Sequence, residues 1–372
     1  MNKEQKGSAA QATIRKSLRP ALVASAKTIS EYSIFLRHLL IGLADESIPT
    51  ALVCPPDCKD VDSIVPPSVE VITHPAFQLP ILWRQNRNRL HEQLARFKPN
   101  VLHCLCESKA LLTSRLARQL NLPYLLTVNS LQKRWGQFLI SARRCAKIIV
   151  PAESIAANLM KLYPGFAERI EQINVGTFVA KQSSCFDRPS RLASMVVAHP
   201  LDDVDDFENL SAAVRHLAID GYEFMLVVIG SGRADRQLRK LLTAFGLLEN
   251  VISVPRLQPW RAVLAAGDIF IQLVPSTAFN PLLLEAMSVG TAVAGCKGGV
   301  DDLIIANKTA VVFDPNDELS IYGSLQRLFN QPELARQIAA GAQQYLRENH
   351  TVSGMISSIL QIYRDTQRRS SH

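Results

Sequence analysis

The sequence predicts an α/β protein built of two Rossmann-like domains that face one another across a cleft. Three observations predict it. Short apolar runs alternate with amphipathic stretches; the alternation stops at a polar segment and then begins again; and 372 residues suffice for two domains of ordinary size.

In the first half, Ala21–Ala24, Thr50–Val53, Val69–Ile72, Val101–His103, Tyr124–Thr127 and Lys147–Val150 read as short buried strands. Nearly continuous apolar runs of this kind suit a parallel sheet covered on both faces. Amphipathic helices fit between them at Glu31–Leu43, Leu82–Phe97 and Ser108–Leu120. The stretch Val179–Ser190, VAKQSSCFDRPS, is polar and aperiodic and reads as a linker. After it come further strands at Met195–Ala198, Phe224–Ile229, Val251–Val254, Asp268–Leu273, Thr291–Ala294 and Ala310–Phe313. A last helix near Val352–Thr366 has no strand after it and is expected to pack back across both domains. The division is thus a tail 1–18, expected to be basic and disordered, domains at 19–178 and 191–350, a linker 179–190 between them, and a terminal segment 351–372.

Composition narrows the class. Hydrophobic residues make up 47% of the chain, yet no apolar run reaches the roughly 18 residues of a membrane span. Residues 1–18 hold no apolar core of a secretory leader, so a cytoplasmic protein is expected. Seven cysteines, an odd number, scattered through apolar and loop contexts, suit a reducing compartment. The spacings of Cys54 with Cys58 and Cys104 with Cys106 match no common zinc pattern; buried thiols are expected there, and no metal.

The net charge of +8 is unevenly placed. Between residues 80 and 147 stand thirteen Lys/Arg, from Arg84 to Lys147, against only Glu92 and Glu107. This has two readings: solvated helix faces, or a surface for an anionic partner such as a lipid leaflet or a polyprenyl diphosphate, in which case the protein is peripheral on the inner membrane leaflet. Nucleic acid is not expected, because aromatics are only 6% of the chain and do not interleave with the basic residues.

Two segments of the second half carry chemistry. Val228-Ile-Gly-Ser-Gly-Arg233 is a strand end running into a helix at Ala234–Phe245, where Gly230 and Gly232 either let backbone N–H groups approach a phosphate or form a tight structural turn. A third glycine and the acid some twenty positions on are missing, which argues against a nicotinamide dinucleotide. The second segment is Ser276–Gly299. Asn280 is a good helix N-cap and Pro281 suits the first helical position, so Glu285 falls one turn into a helix. A carboxylate so placed can accept hydrogen bonds from two hydroxyls, as from a ribose, with helix-end N–H groups turned to a diphosphate; the plainer alternative is a solvent-facing glutamate. His103, at a strand end, reads either as a cleft residue touching donor or acceptor or as a hydrogen-bonded structural histidine.

The segments GSGRADRQLRKLLTAFGLLENVISVPRL, AAGDIFIQLVPS, LLLEAMSVGTAVAGCKGGVDDLI and AVVFDPND together resemble the C-terminal domain of the group 1 (family 4) glycosyltransferases. KPNVLHCLCESKALLTSRLARQLNLPYLLT and CAKIIVPAESIAANLMKLYPGFAERIEQINVGTF resemble that family's acceptor domain. The resemblance implies the GT-B fold and metal-independent, retaining transfer from a nucleotide-sugar, which is a substrate, with no cofactor. As an enzyme it is expected to move a hexose to an envelope glycolipid or polysaccharide precursor. The resemblance places Glu285 on the donor ribose and the backbone at Arg256 and Leu257 beside the base. Thr277, Phe279 and Asn280 then fall where the family binds sugar and diphosphate, with Arg233, Lys297 and Lys27 as available cations.

The chain departs from the family pattern at five places. Thr277 stands where the family has a glutamate. Asn280 and Pro281 follow Phe279 where it has a glycine. The acidic segment Ala198–Glu208 replaces an arginine and a lysine. Asn129 replaces a histidine, and Ala24–Glu31 replaces a glycine-rich loop. Loss of the cations bears directly on the stabilisation of a leaving diphosphate. A second function class therefore stands beside the enzyme: a relative that keeps the fold as a binding or scaffolding subunit.

Overall fold

The structure, a computed structural model, describes residues 17–56, 58, 61–74, 80–133, 140–183, 185–187, 192–254 and 260–370. Tail residues 1–16, Arg134, Ser184, Arg188–Ser190, Arg256 and Leu257 lie outside the described residues.

Two wholly parallel sheets form the framework. The N-terminal sheet contains β1 (Pro20–Val23), β2 (Thr50–Cys54), β3 (Val69–Thr73), β4 (Val101–Cys104), β5 (Tyr124–Thr127), β6 (Cys145–Val150) and β7 (Ile170–Gln172), in the order β3-β2-β1-β4-β5-β6-β7. The C-terminal sheet contains β8 (Ala193–Ala198), β9 (Phe224–Ile229), β10 (Val251–Val254), β11 (Ile269–Gln272), β12 (Ala292–Cys296) and β13 (Val311–Phe313), in the order β10-β9-β8-β11-β12-β13. Every expected strand is present. The edge strand β7, only three residues long and carrying the polar residues Glu171 and Gln172, gave no apolar run to read.

Each sheet reverses its winding once, between β1 and β4 and between β8 and β11. Ligand crevices open at such reversal points, outside the carboxyl ends of the strands. The central strands β1, β2, β4, β5, β11 and β12 are buried at every position. One apolar core fills the N-terminal domain and continues through the domain interface to Phe270 and Val293 on the C-terminal sheet and Leu284 on the helix Pro281–Val289. A second core, around Phe207, Phe224, Ile271 and Leu325, covers that sheet's other face.

The chain crosses between domains twice, and the crossings touch. Thr177 N–H donates to the His350 carbonyl (2.9 Å), and a Cβ on Gly176 would lie 2.6 Å from Val352 Cα. Only glycine permits that approach. The terminal helix, Val352–Ser370, packs on the N-terminal domain against the helix Ser33–Asp45 and β4, with Met355, Ile359 and Tyr363 buried in its core. Its main packing is thus on the first domain, where the sequence suggested a helix lying across both. The segment 179–190 is likewise no free tether in its described residues. Cys185 is fully buried, Ser183 Oγ donates to the Gly290 carbonyl (2.7 Å), and Phe186 N–H donates to Asp268 (2.7 Å).

Candidate functional site

The two reversal points face each other across a cleft of about 490 Å³. The N-terminal wall is the short helix Ala26–Glu31 after β1. Ser25 caps it through a reciprocal pair with Thr28, so the segment expected to be an altered loop is a helix. It brings Lys27, Glu31 and the following Tyr32 to the cleft. The C-terminal wall comes from the loops after β8, β9 and β11, with His199, Ser231, Gln272 and Thr277.

The β11 loop is tied to the first domain by backbone. Leu131 N–H donates to the Thr277 carbonyl (2.8 Å) and Phe279 N–H to the Asn129 carbonyl (2.9 Å), an antiparallel bridge between domains. Tyr32 adds a hydroxyl bond to the Phe279 carbonyl (3.0 Å). The 129–130 strand is held from behind by Glu107, whose carboxylate accepts from Asn129 N–H (2.5 Å), Ser130 N–H (2.9 Å) and Ser130 Oγ (3.1 Å). Burial pushes the Glu107 carboxyl up from its ordinary range.

The helix Pro281–Val289 begins as expected, with Asn280 as N-cap and Pro281 at its first position. The Asn280 amide oxygen accepts from Leu282 N–H (3.0 Å) and Leu283 N–H (3.2 Å), while its amide nitrogen donates to Gln272 (2.6 Å). The first free N–H groups of the helix are thus taken by its own cap. Glu285 lies one turn on, is 1% exposed, and is not among the described residues that line the cleft. Thr177 Oγ1 donates to one carboxylate oxygen (2.5 Å), and Arg261 Nη1 donates to the other (2.8 Å). Arg261 also donates to Ser288 Oγ (3.1 Å) and to the Phe178 carbonyl. The solvent-facing glutamate is thus not found; the carboxylate is buried and bonded within the protein. Arg261 and Thr177 were not singled out in the sequence, because their partners lie 24 and 108 residues away.

The other expected site residues divide. Gly230, Thr277, Phe279 and Asn280 line the cleft. The two glycines serve close backbone packing: a Cβ on Gly230 would meet the His199 carbonyl at 2.1 Å, and one on Gly232 the Leu201 carbonyl at 2.1 Å. Arg233 Nε donates to the Asp202 carbonyl (2.9 Å), and Lys297 pairs with Asp301 (3.6 Å); neither lines the cleft. Lys27 and His199 do, but each already has a carboxylate partner, Glu31 at 3.6 Å and Asp206 at 3.0 Å.

His103 is corrected from a cleft residue to a structural one. It is fully buried, its Nδ1 bonded to the Tyr363 hydroxyl (2.7 Å) and its Nε2 to Thr127 Oγ1 (2.8 Å). Burial lowers its pKa to about 3, so the ring is neutral and clamps the terminal helix to β4 and β5.

Residues 188–345 match the family described as "Glycosyl transferases group 1", and residues 33–177 match "Glycosyltransferase Family 4". The chain belongs to the group 1, family 4 glycosyltransferases. Its two facing parallel-sheet domains are the GT-B fold of that family. Among solved structures it is similar to a glycosyltransferase from Rickettsia africae, with a TM-score of 0.77, 15% identity, and coverage of 94% of this chain and 98% of that one. Anabaena Alr3699/HepE, solved in complex with UDP and glucose, has a TM-score of 0.75 at 13% identity, covering 92% and 98%. The sulfoquinovosyl transferase SQD2 of Arabidopsis thaliana is 21% identical over an alignment of 287 positions that covers 69% of this chain. The matched part spans 55% of that relative's length, and 38% and 30% of two bacterial relatives.

Proposed function

We propose that this protein binds a nucleotide-sugar in the inter-domain cleft and transfers the sugar to an envelope glycolipid or polysaccharide precursor. The observation that carries this reading is the cleft itself. Both topological reversal points open onto it, and the Ser276–Leu282 loop of the family's most specific motif forms its floor. In the proposed step the bond from the anomeric carbon to the diphosphate breaks and an acceptor oxygen bonds that carbon. The acceptor proton passes to the leaving diphosphate. By family resemblance the transfer needs no metal and keeps the anomeric configuration. Lys27 and His199 stand where they can meet the diphosphate, and Thr277 where it can meet a sugar hydroxyl.

The acceptor side is proposed to dock on an anionic surface, either a lipid leaflet or a polyprenyl-diphosphate-linked acceptor, at the cytoplasmic side of a membrane. Arg89, Arg96, Lys98, Arg118, Lys133 and Arg143 are exposed on the N-terminal domain. Among the described residues no helix is long and apolar enough to cross a membrane.

A second reading, a binding subunit without transfer activity, has its own support. Asn280 occupies the helix N–H groups, and Lys27 and His199 each already face a carboxylate. Calorimetric titration with nucleoside diphosphates and their sugars, together with an assay of sugar release, separates the two. Binding that Thr277→Trp abolishes, with slow release of free sugar, supports the enzyme. Binding without release supports the subunit. No binding by the folded protein sinks both.

A further inference from the structure

Cys104 and Cys106 stand together at the end of β4, and nothing in the proposed transfer uses them. Cys104 is the last residue of the strand, and Cys106 continues in extended backbone (φ −160°, ψ 153°). Alternate residues of an extended chain share a face, and the two sulfurs lie within hydrogen-bonding reach of each other. Three hydroxyls stand around Cys106: Ser108, two residues on, and Ser25 and Thr28, which cap the helix after β1. The Ser108 hydroxyl is 3.4 Å from the Cys106 sulfur, and the Cys104 thiol donates to the Cys106 carbonyl (3.1 Å). Cys104 is fully buried, whereas Cys106 keeps 7% of its surface exposed.

These surroundings separate the two thiols chemically. The Cys104 thiol, and after it the Ser108, Thr28 and Ser25 hydroxyls, hold the Cys106 thiol down to about 5 against the opposing effect of burial. Burial pushes the Cys104 thiol up, as it does those of Cys54, Cys145, Cys185 and Cys296. Cys106 is therefore a thiolate at neutral pH, and the thiolate is the nucleophile. Its narrow exposure admits a small oxidant and keeps out a bulky one.

We propose that Cys106 and Cys104 form a modification site for hydrogen peroxide, in which Cys106 reacts and Cys104 resolves. The Cys106 sulfur takes one oxygen as the peroxide O–O bond breaks; hydroxide leaves, and the sulfur is oxidised to a sulfenic acid. The Cys104 sulfur then bonds the Cys106 sulfur, the S–O bond breaks, and the oxygen leaves as water with the Cys104 proton. Residues two apart in an extended chain lie about 6.6 Å apart, at the wide end of the roughly 4.4–6.8 Å that a disulfide spans. The bond is therefore strained and open to reduction by a dithiol.

The test treats the reduced full chain with hydrogen peroxide, alkylates the remaining thiols after unfolding, and digests the product with trypsin. Peptide 97–109 contains these two cysteines and no other. It is expected to lose two hydrogens and escape alkylation at least about 10-fold faster than Cys185 or Cys296 is oxidised, and dithiothreitol is expected to restore it. In Cys104→Ser, dimedone is expected to capture the sulfenic acid on Cys106; in Cys106→Ser, Cys104 is expected to stay open to alkylation. A wild-type peptide 97–109 oxidised no faster than Cys296 overturns the proposal, whether or not the variants fold. Wild-type Cys106 carried to sulfenic or sulfinic acid without a disulfide overturns the pairing with Cys104.

Discussion

The first turn of the helix Pro281–Val289 borders an open cleft, whereas its second turn is sealed into the hinge. At the cleft end the walls carry Lys27, Glu31, His199 and Thr277, all at least partly exposed. At the hinge end Glu285, Thr177 and Ser288 are buried and every one of them is bonded within the protein. The two ends lie about one helical turn apart, roughly 5 Å. What separates them is chain connectivity. The hinge is where two crossings and the interface core converge, and a charge there needs a partner from the fold itself. The cleft is where strand ends stop short and leave room for a ligand. Substitutions at the hinge should therefore register in stability, and substitutions at the cleft in binding.

The largest effect is expected from His103 and the clamp it makes with Tyr363. The folded protein holds this ring at a pKa near 3, well below its ordinary 6.5, so below pH 6.5 the unfolded chain takes up the proton that the folded one refuses. Stability from this group is full above pH 6.5 and falls as the pH drops toward 3, by about 3 kcal/mol at pH 4.5. Urea unfolding of the wild type at pH 7 and pH 4.5 should show that loss, and His103→Asn should flatten it. An equal loss in both proteins would place the acid sensitivity elsewhere.

Arg261→Ala should lower stability by about 2 kcal/mol. That is less than the roughly 3–5 of a fully buried pair, because Arg261 is itself 40% exposed along its side chain. A thermal melt that does not move would mean the pair contributes nothing at the hinge.

A smaller effect is expected at a second inter-domain contact. The helix Glu153–Leu162 has Ala152 at its N-cap, which offers no side-chain acceptor. Asp302 of the C-terminal domain does the capping instead, accepting from Glu153 N–H (2.6 Å), Ser154 N–H (3.2 Å) and Ser154 Oγ (2.5 Å). Asp302→Ala should cost about 1 kcal/mol in denaturant unfolding, the worth of an ordinary cap.

The smallest stability effects belong to the cleft. His199→Ala and Lys27→Ala should each change stability by less than about 0.5 kcal/mol while weakening binding of a nucleoside diphosphate severalfold. Melting and titration of the same samples check both halves of that contrast. On the outer face of the first domain, binding to anionic vesicles should fall steeply as salt rises, as expected for exposed charges screened over about 10 Å at 0.1 M. Retention that does not respond to salt would remove the electrostatic anchor.

Local pattern alone was enough for the architecture and for the entrance of the key helix. The apolar runs give twelve of the thirteen strands among the described residues, and Asn280-Pro281 gives the helix start, because burial on both sheet faces and capping are properties of a few adjacent residues. Thr277, Phe279, Asn280 and Gly230 could be placed at the cleft because they sit at strand ends, where a parallel sheet puts its loops. The facing direction of the longer polar side chains was beyond such pattern. Glu285 and His103 were both cleft candidates in sequence, and both are buried and bonded to residues from distant parts of the chain: Thr177 and Arg261 in one case, Tyr363 in the other. A buried charge or imidazole is placed by whichever partner compensates its desolvation, and that partner exists only once the hinge and the terminal helix have packed.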